Sequence, residues 1–380
     1  MAFTYLDHNA GTALAPGVLD VMLPYMRQQQ GNPSSSHRFG RFGQAALDTA
    51  RAQVAKLVNV EAKQVWFTSG GTESNNQALM GITSQFDGGR ILVSSIEHPA
   101  VLEPAKRLAK LGFEVVEIPA NAAGQITASA LASVLTDDTR LVSVMWANNE
   151  TGVIQDIASL TALTRAKGIV FHCDAVQAVG KLDVDFQQAG IQLMSISAHK
   201  FGGPKGIGAL IVDKQLDWPA FVLGGGQENE KRSGTENVAA IAGFGAAAEY
   251  AQQHLAEYQS HCKMLREALE AALKKLPGVT IFAENSPRLP NTVFFVLAGF
   301  DSDTLLMTLD RQGFSVASGS ACGTGRQVPS HVLTAMGVDE NTALGAVRIS
   351  VAADNTEKQI QQLAVVLEKE ASRFNHLLNR

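Results

Sequence analysis

A lysine and a cysteine far apart in the chain carry its most telling chemistry. Lys200 ends the run Ser197-Ala198-His199-Lys200, directly after an apolar, strand-like segment, Leu193-Met194-Ser195-Ile196-Ser197. An unpaired ammonium at the end of such a strand is costly. Cys322 stands in Ser318-Gly319-Ser320-Ala321-Cys322-Gly323-Thr324-Gly325, small residues that cannot pack a core. One explanation covers both: Lys200 holds a carbonyl cofactor as a Schiff base, and Cys322 is a nucleophile toward something bound to it. The plainer alternatives are a solvated loop lysine and a buried structural thiol.

Other residues suit the same cofactor. Thr68-Ser69-Gly70-Gly71-Thr72-Glu73 follows a strand and opens a helix. There the free N–H groups around Gly71 and the Thr72 hydroxyl form a phosphate cradle, or simply a capped turn. Asp174 ends the strand Phe171-His172-Cys173-Asp174, where a carboxylate would keep a pyridine nitrogen protonated. The alternative for Asp174 is a helix cap. Gln177, three residues on, would face the same ring, and Cys173 reads as a small core residue. Ser197 and His199 would donate to the phosphate. His98, in Ile96-Glu97-His98-Pro99-Ala100, would stack on a planar ring and move protons, or merely start a helix.

These residues must be held by an α/β scaffold. Strand-like runs at Val65–Ser69, Ile91–Ile96, Leu141–Ala147, Ile169–Asp174, Leu193–Ser197 and Gly208–Val212 alternate with helical ones such as Glu103–Leu111 and Ile157–Lys167. Nearly continuous apolar strands predict a mainly parallel sheet covered on both faces, with function at the strands' carboxyl ends. A glycine-rich loop, Leu223-Gly224-Gly225-Gly226, precedes a long helical region from Val238 to about Lys275. A second, smaller α/β unit follows, with the strand Thr292–Leu297, the helix Asp303–Gln312, the cysteine loop and a strand near Val347–Val351. The last helix opens on the capping pattern Thr356-x-x-Gln359. The expected division is a large cofactor domain over residues 15–257 and a small domain from 1–14 and 258–380.

Composition narrows the classes. At 380 residues and 46% hydrophobic, the chain can bury cores for two domains. A net charge of -5 gives no support to a nucleic-acid or anionic-membrane partner. Three cysteines without a C-x-x-C pair make no disulfide framework and suit a reducing compartment. The N-terminus shows no basic region ahead of an apolar core, and no apolar run is long enough to span a bilayer. The expectation is a cytoplasmic protein.

With these motifs in order, the chain resembles the NifS/IscS-type cysteine desulfurases. These are pyridoxal 5′-phosphate enzymes of the class V aminotransferase group, with the aspartate-aminotransferase-like fold (fold type I). The resemblance also runs through Tyr5-Leu6-Asp7-His8-Asn9-Ala10, Gly31-Asn32-Pro33-Ser34 and Trp146-Ala147-Asn148-Asn149-Glu150-Thr151-Gly152. It continues into Arg232-Ser233-Gly234-Thr235 and Val347-Arg348-Ile349-Ser350. It implies Lys200 as the Schiff-base residue and His98 as the ring-stacking acid/base. Asp174 would face the pyridinium nitrogen and Gln177 the ring 3′-oxygen. Gly71, Thr72, Ser197 and His199 would hold the phosphate, with Thr235 reaching the cofactor of a neighbouring subunit in a homodimer. Asn149, beside the cofactor, and Arg348 would grip the substrate carboxylate, with Asn32 a further candidate.

The implied reaction takes sulfur from L-cysteine, leaving alanine and a persulfide on Cys322 for a sulfur-acceptor protein. Iron–sulfur cluster assembly, tRNA thiolation and DNA sulfur modification are all open as destinations. Two features depart from the pattern: Ala10-Gly11-Thr12 replaces Ala-Thr-Thr, and Asn229-Glu230-Lys231 stands where arginine and glycine are usual. The competing readings are a related lyase (acting on selenocysteine, for example), a small-amino-acid aminotransferase, and a cofactor-free scaffold on the same fold. A transaminase has no need of a loop thiol.

Overall fold

The computed structural model describes residues 3–28, 30–319 and 328–378. Its central sheet has seven strands in the order Val65–Thr68, Gly208–Val212, Leu193–Ser197, Val170–Asp174, Thr139–Ser143, Arg90–Ser94 and Glu114–Ile118. Gly208–Val212 runs against both its neighbours, and the other pairings are parallel. Every residue of Leu193–Ser197 and Gly208–Val212 is buried, as strands covered on both faces require. Glu114–Ile118 was not anticipated. It is an edge strand whose two glutamates break the apolar run, and charge on an edge discourages pairing with other chains.

A second sheet is antiparallel, in the order Ala317–Ser318, Ala346–Ser350, Thr292–Leu297 and Val279–Ile281. The N-terminal strand Thr4–Tyr5 pairs in parallel with Phe314–Ser315, so the start of the chain packs on its C-terminal part. The fold is therefore α/β, with a large mostly parallel sheet and a smaller C-terminal sheet, as expected.

The 36-residue helix Val238–Leu273 spans both cores. Its first half packs Phe244 against Phe67 and Phe201, at ring separations of 6.1 and 5.8 Å. Its second half places Cys262, Leu265, Leu269 and Leu273 with Leu6, Phe295, Ile349 and Leu363. Gly245 allows this helix to lie close to Arg38–Leu57, since a Cβ there would sit 2.6 Å from Ala50 Cα. The final helix, Glu357–Leu378, starts with the expected reciprocal cap. Thr356 N–H donates to Gln359 Oε1 at 2.9 Å, and Gln359 N–H to Thr356 Oγ1 at 3.3 Å. Among the described residues no helix is long and apolar enough to cross a membrane.

Candidate active site

Two parallel strands deliver Asp174 and the Ser197–Lys200 segment to the same end of the central sheet. Asp174 Oδ2 accepts from Asn75 Nδ2 at 2.7 Å, and Oδ1 from the Val176 N–H at 3.0 Å. Two N–H donors suit a carboxylate held in place for a cationic partner. Asn75 belongs to the helix Gly71–Thr83, so that helix both supports Asp174 and opens beside it.

The N-terminus of this helix has no side-chain cap at Gly70, which leaves its first N–H groups available. A Cβ on Gly71 would fall 2.6 Å from Val176 Cγ2 and 3.6 Å from Ser197 Cβ. Glycine is thus required there, and the helix start lies against the Ser197 strand end. Ser197 Oγ pairs with His199 Nδ1 at 2.9 Å. Burial, with Lys200 and Lys205 nearby, pushes the His199 imidazole down to about 4, so it is neutral near pH 7. The combination suits a phosphate dianion: free helix amides, a hydroxyl and a neutral imidazole.

Lys200 Nζ donates to the carbonyls of Asn9 at 2.6 Å and Ala10 at 3.1 Å. Burial first, then Arg348, lowers its pKa to about 8, against the opposing pull of Asp174 and Asp7. About a tenth of such an amine is neutral at pH 7. That fraction is the nucleophile a carbonyl cofactor needs.

His98 caps the helix Pro99–Lys110, its Nδ1 accepting from the Ala100 N–H at 3.0 Å. Nε2 is therefore the end left for other work. Burial lowers the His98 pKa; Asp174 opposes that effect, while Lys200 and His331 add to it. The charges of Asp174 and Lys200 thus bear on His98.

Arg348, on the small sheet, reaches back to the N-terminal segment. Its Nη2 meets Asp7 Oδ1 at 2.5 Å and its Nη1 the Asn149 carbonyl at 2.9 Å. The guanidinium is thus oriented beside Asn149, and its charge is felt by Lys200. Gln177 is buried, donating to Asn9 O at 2.9 Å, the carbonyl that Lys200 also uses.

Three expected residues stand apart from these contacts. Thr72 is exposed on the first turn of its helix. Asn32 is exposed in a turn, where its Oδ1 accepts from Ser34 N–H at 2.9 Å. Thr235 is exposed ahead of the helix Val238–Leu273. Its loop is nonetheless tied to the first turn of the helix Gly71–Thr83, because Arg232 Nε donates to Glu73 Oε1 at 2.8 Å. The unusual Asn229-Glu230-Lys231 segment is also anchored. Preceding it, Glu228 is buried against Arg51 at 2.6 Å, and Lys231 Nζ caps the Trp218 carbonyl at 2.6 Å. Cys322 lies outside the described residues.

Sequence reasoning gave no role to Asn9, Asn75, Lys181 or Glu97. Asn9 is a hub that takes Lys200 and Gln177 on its carbonyl, Lys181 on Oδ1 and Ser350 Oγ at its N–H. Glu97, beside His98, is fully buried, and its pKa is pushed up to about 8 by that burial. The only available signal was position: Asn9 and Glu97 lie in or next to quoted motifs, but nothing local says what they touch. Lys200 also edges a cavity of 860 Å³ whose lining includes Thr12, Phe201, Tyr258, His261 and Asp354. That lining lacks Asp174, His98 and Arg348, so the candidate site is defined by the strand ends.

Comparison with known proteins identifies the family. Residues 4–363 match the family described as Aminotransferase class-V. A relative from Clostridium botulinum (strain Hall), named cysteine desulfurase IscS, is 41% identical over 370 residues, covering 96% of this chain and 93% of that protein. A solved NifS-like protein superposes with a TM-score of 0.92 at 36% identity, covering 97% of this chain and 99% of the other. A structure described as SspA in complex with cysteine gives a TM-score of 0.81 at 31% identity, covering 91% and 98%.

Proposed function

The chain belongs to the class V aminotransferases and, within them, to the cysteine desulfurases, and we propose that it strips sulfur from L-cysteine with pyridoxal 5′-phosphate carried on Lys200. The observation that carries this reading is the half-buried amine of Lys200, held by the carbonyls of Asn9 and Ala10 just past the strand that pairs in parallel with the one ending in Asp174. The residues fit the cofactor: an uncapped helix start at Gly71 beside Ser197 for its phosphate, and Asp174 with two N–H donors for its ring nitrogen. When bound, the cofactor supplies an electron sink for the substrate's α-carbon.

The protein's own groups do the rest. Asp174, fixed by Asn75 and Val176, holds a proton at the ring nitrogen. His98, with Nδ1 committed to its helix cap, offers Nε2 to carry a proton to and from the substrate. Arg348, oriented by Asp7 and the Asn149 carbonyl, presents its fork to the substrate carboxylate, with Asn149 beside it. The Lys200 amine would be the second base within reach. The Cys322 thiolate attacks the substrate sulfur: an S–S bond forms, the C–S bond breaks, and its electron pair stays with the carbon fragment. That fragment takes up the proton lost by the thiol and leaves as alanine, while the sulfur remains as a persulfide for an acceptor protein.

The reading includes a homodimer in the cytoplasm, with Thr235 serving the partner's cofactor. Exposed apolar side chains on two adjoining helices, Met26 at 64% and Phe42 at 52%, support self-association. Residues 15–257 would form the cofactor domain, and 1–14 with 258–380 the domain that brings Arg348 and Cys322. The test is alanine and protein-bound persulfide formed from L-cysteine, compared with Cys322→Ala. Both products from the unaltered protein and neither from a variant that keeps its cofactor is the expected result. Alanine persisting without Cys322, or never appearing, rejects the mechanism and favours a lyase or aminotransferase.

A further inference from the structure

Lys181 has no part in the chemistry above, yet its side chain is only 1% exposed. Its ammonium donates to Asn9 Oδ1 at 2.8 Å and to Gln177 Oε1 at 2.7 Å, both neutral oxygens. Among the described residues no carboxylate pairs with it. Burial first, then two further cations, Lys200 and Arg348, hold the amine well below its usual range, against a smaller opposing effect of the Cys262 thiol. Burying a cationic group with only neutral partners is expensive. A lysine at this position therefore calls for a compensating role.

The two acceptors depend on Lys181 to different degrees. Asn9 Oδ1 also accepts from Asn291 Nδ2 at 3.0 Å, and Asn9 Nδ2 donates to Thr292 Oγ1 at 2.9 Å. The Asn9 amide is thus fixed at both ends without Lys181. For Gln177 Oε1, Lys181 is the donor the structure shows. The other end of that amide, Nε2, donates to Asn9 O at 2.9 Å, the carbonyl that receives Lys200 Nζ at 2.6 Å. An amide nitrogen carries two hydrogens, and Asn9 takes one.

We infer that Lys181 is a positioning residue that acts through Gln177. It pins the oxygen end of the amide so that the nitrogen end faces Lys200, with one N–H left to donate to the ring oxygen of a bound pyridoxal-type cofactor. Drawing electron density toward Oε1 also strengthens that remaining N–H as a donor. The inference rests on the cofactor reading proposed above.

The test uses the full-length protein and pyridoxal 5′-phosphate itself, with three variants: Lys181→Met, Gln177→Met and the double variant. Two quantities are read, the cofactor dissociation constant and the absorption maximum of the bound cofactor. K181M is expected to weaken binding about tenfold, the value of one well-placed buried hydrogen bond, and to move the absorption maximum. Q177M should do the same, and the double variant should match Q177M with no further loss. K181M with native binding and a native absorption maximum overturns the inference. So does a double variant that binds about tenfold more weakly than Q177M alone. If K181M does not fold, the double variant decides, because apolar side chains at both positions leave no orphaned oxygen there. Borohydride reduction and peptide mass analysis first check that the unaltered protein links the cofactor to Lys200. If it does not, the proposed function falls, and the inference with it.

Discussion

Glu97 offers a prediction whose size follows from its surroundings. The side chain is 0% exposed, and its Oε1 accepts from Ser94 Oγ and the Met145 N–H, each at 2.6 Å. Burial, reinforced by the Asp174 charge, raises its pKa from 4.5 to about 8. The folded protein therefore holds a proton here that the unfolded chain has released. Stability that is fully present below pH 4.5 drains away as the pH climbs to about 8. Each pH unit in that window is worth about 1.4 kcal/mol, so the span from pH 5 to pH 8 costs up to about 4 kcal/mol. Glu97→Gln keeps the shape and the Oε1 acceptor but cannot ionise, and so escapes this loss. Unfolding entropy of about 2.1 cal/mol/K per residue over 380 residues converts 4 kcal/mol into about 5 °C. Scanning calorimetry at pH 5 and pH 8 should show the Tm advantage of E97Q growing by up to that amount at the higher pH. Parallel Tm profiles for the two proteins would mean that Glu97 is already ionised in the fold, and the argument from burial would fail. The consequence for the site is direct. A second negative charge next to His98 would compete with Asp174 for the same cations, and a protonated Glu97 leaves Asp174 as the carboxylate that matters.

Gly71→Ala places a methyl 2.6 Å from Val176 Cγ2, so the Val176 side chain must shift, on the residue whose N–H holds Asp174. A stability loss of about 1–3 kcal/mol, with cofactor binding about tenfold weaker, is expected from melting and absorbance titration; native values in both would show that the helix start has room to spare. His172 is buried between Ser143 Oγ at 2.8 Å and Ser195 Oγ at 3.0 Å, and burial lowers its pKa from 6.5 to about 3. The unfolded chain therefore takes a proton that the fold refuses. Stability is intact above pH 6.5 and falls by at most about 1.4 kcal/mol per unit toward pH 3. His172→Gln should flatten the acid limb of the Tm profile, and an unchanged limb would place the acid sensitivity elsewhere.

Much of the scaffold was legible because its strands advertise themselves. Gly208–Val212 is apolar throughout, Leu193–Ser197 is apolar but for two small serines, and both have the bounds their sequence suggests, as does Thr292–Leu297. Direction was not legible. Nothing in Gly208-Ala209-Leu210-Ile211-Val212 says that it runs against its neighbours, since reversal is set by the short connection after Lys200 and not by composition. Glu114–Ile118 escaped because its glutamates hide an edge strand. At the site, Lys200, Asp174, Gln177 and His98 stood out as reactive types at strand ends or helix starts. Asn75 and Lys181 did not, because an amide or amine on a helix or turn looks the same whether it faces solvent or a buried partner.

The least legible part was the N-terminal segment, and it determines how the site is assembled. Asn9 takes Lys200 and Gln177 from the large sheet on one carbonyl, and its own N–H meets Ser350 Oγ on the small sheet at 2.9 Å. Two residues earlier, Asp7 holds Arg348 from the same strand. The amine that would carry the cofactor and the guanidinium that would grip the substrate are thus positioned by residues two apart, on a segment that contributes no reactive group. Such short spacing limits how far either can drift relative to the other, although they come from different sheets and lie far apart in sequence. Geometry of this kind is what a reaction needs when bond breaking depends on alignment. The Tyr5–Ala10 motif is therefore best understood as the strap that keeps Lys200 and Arg348 in register.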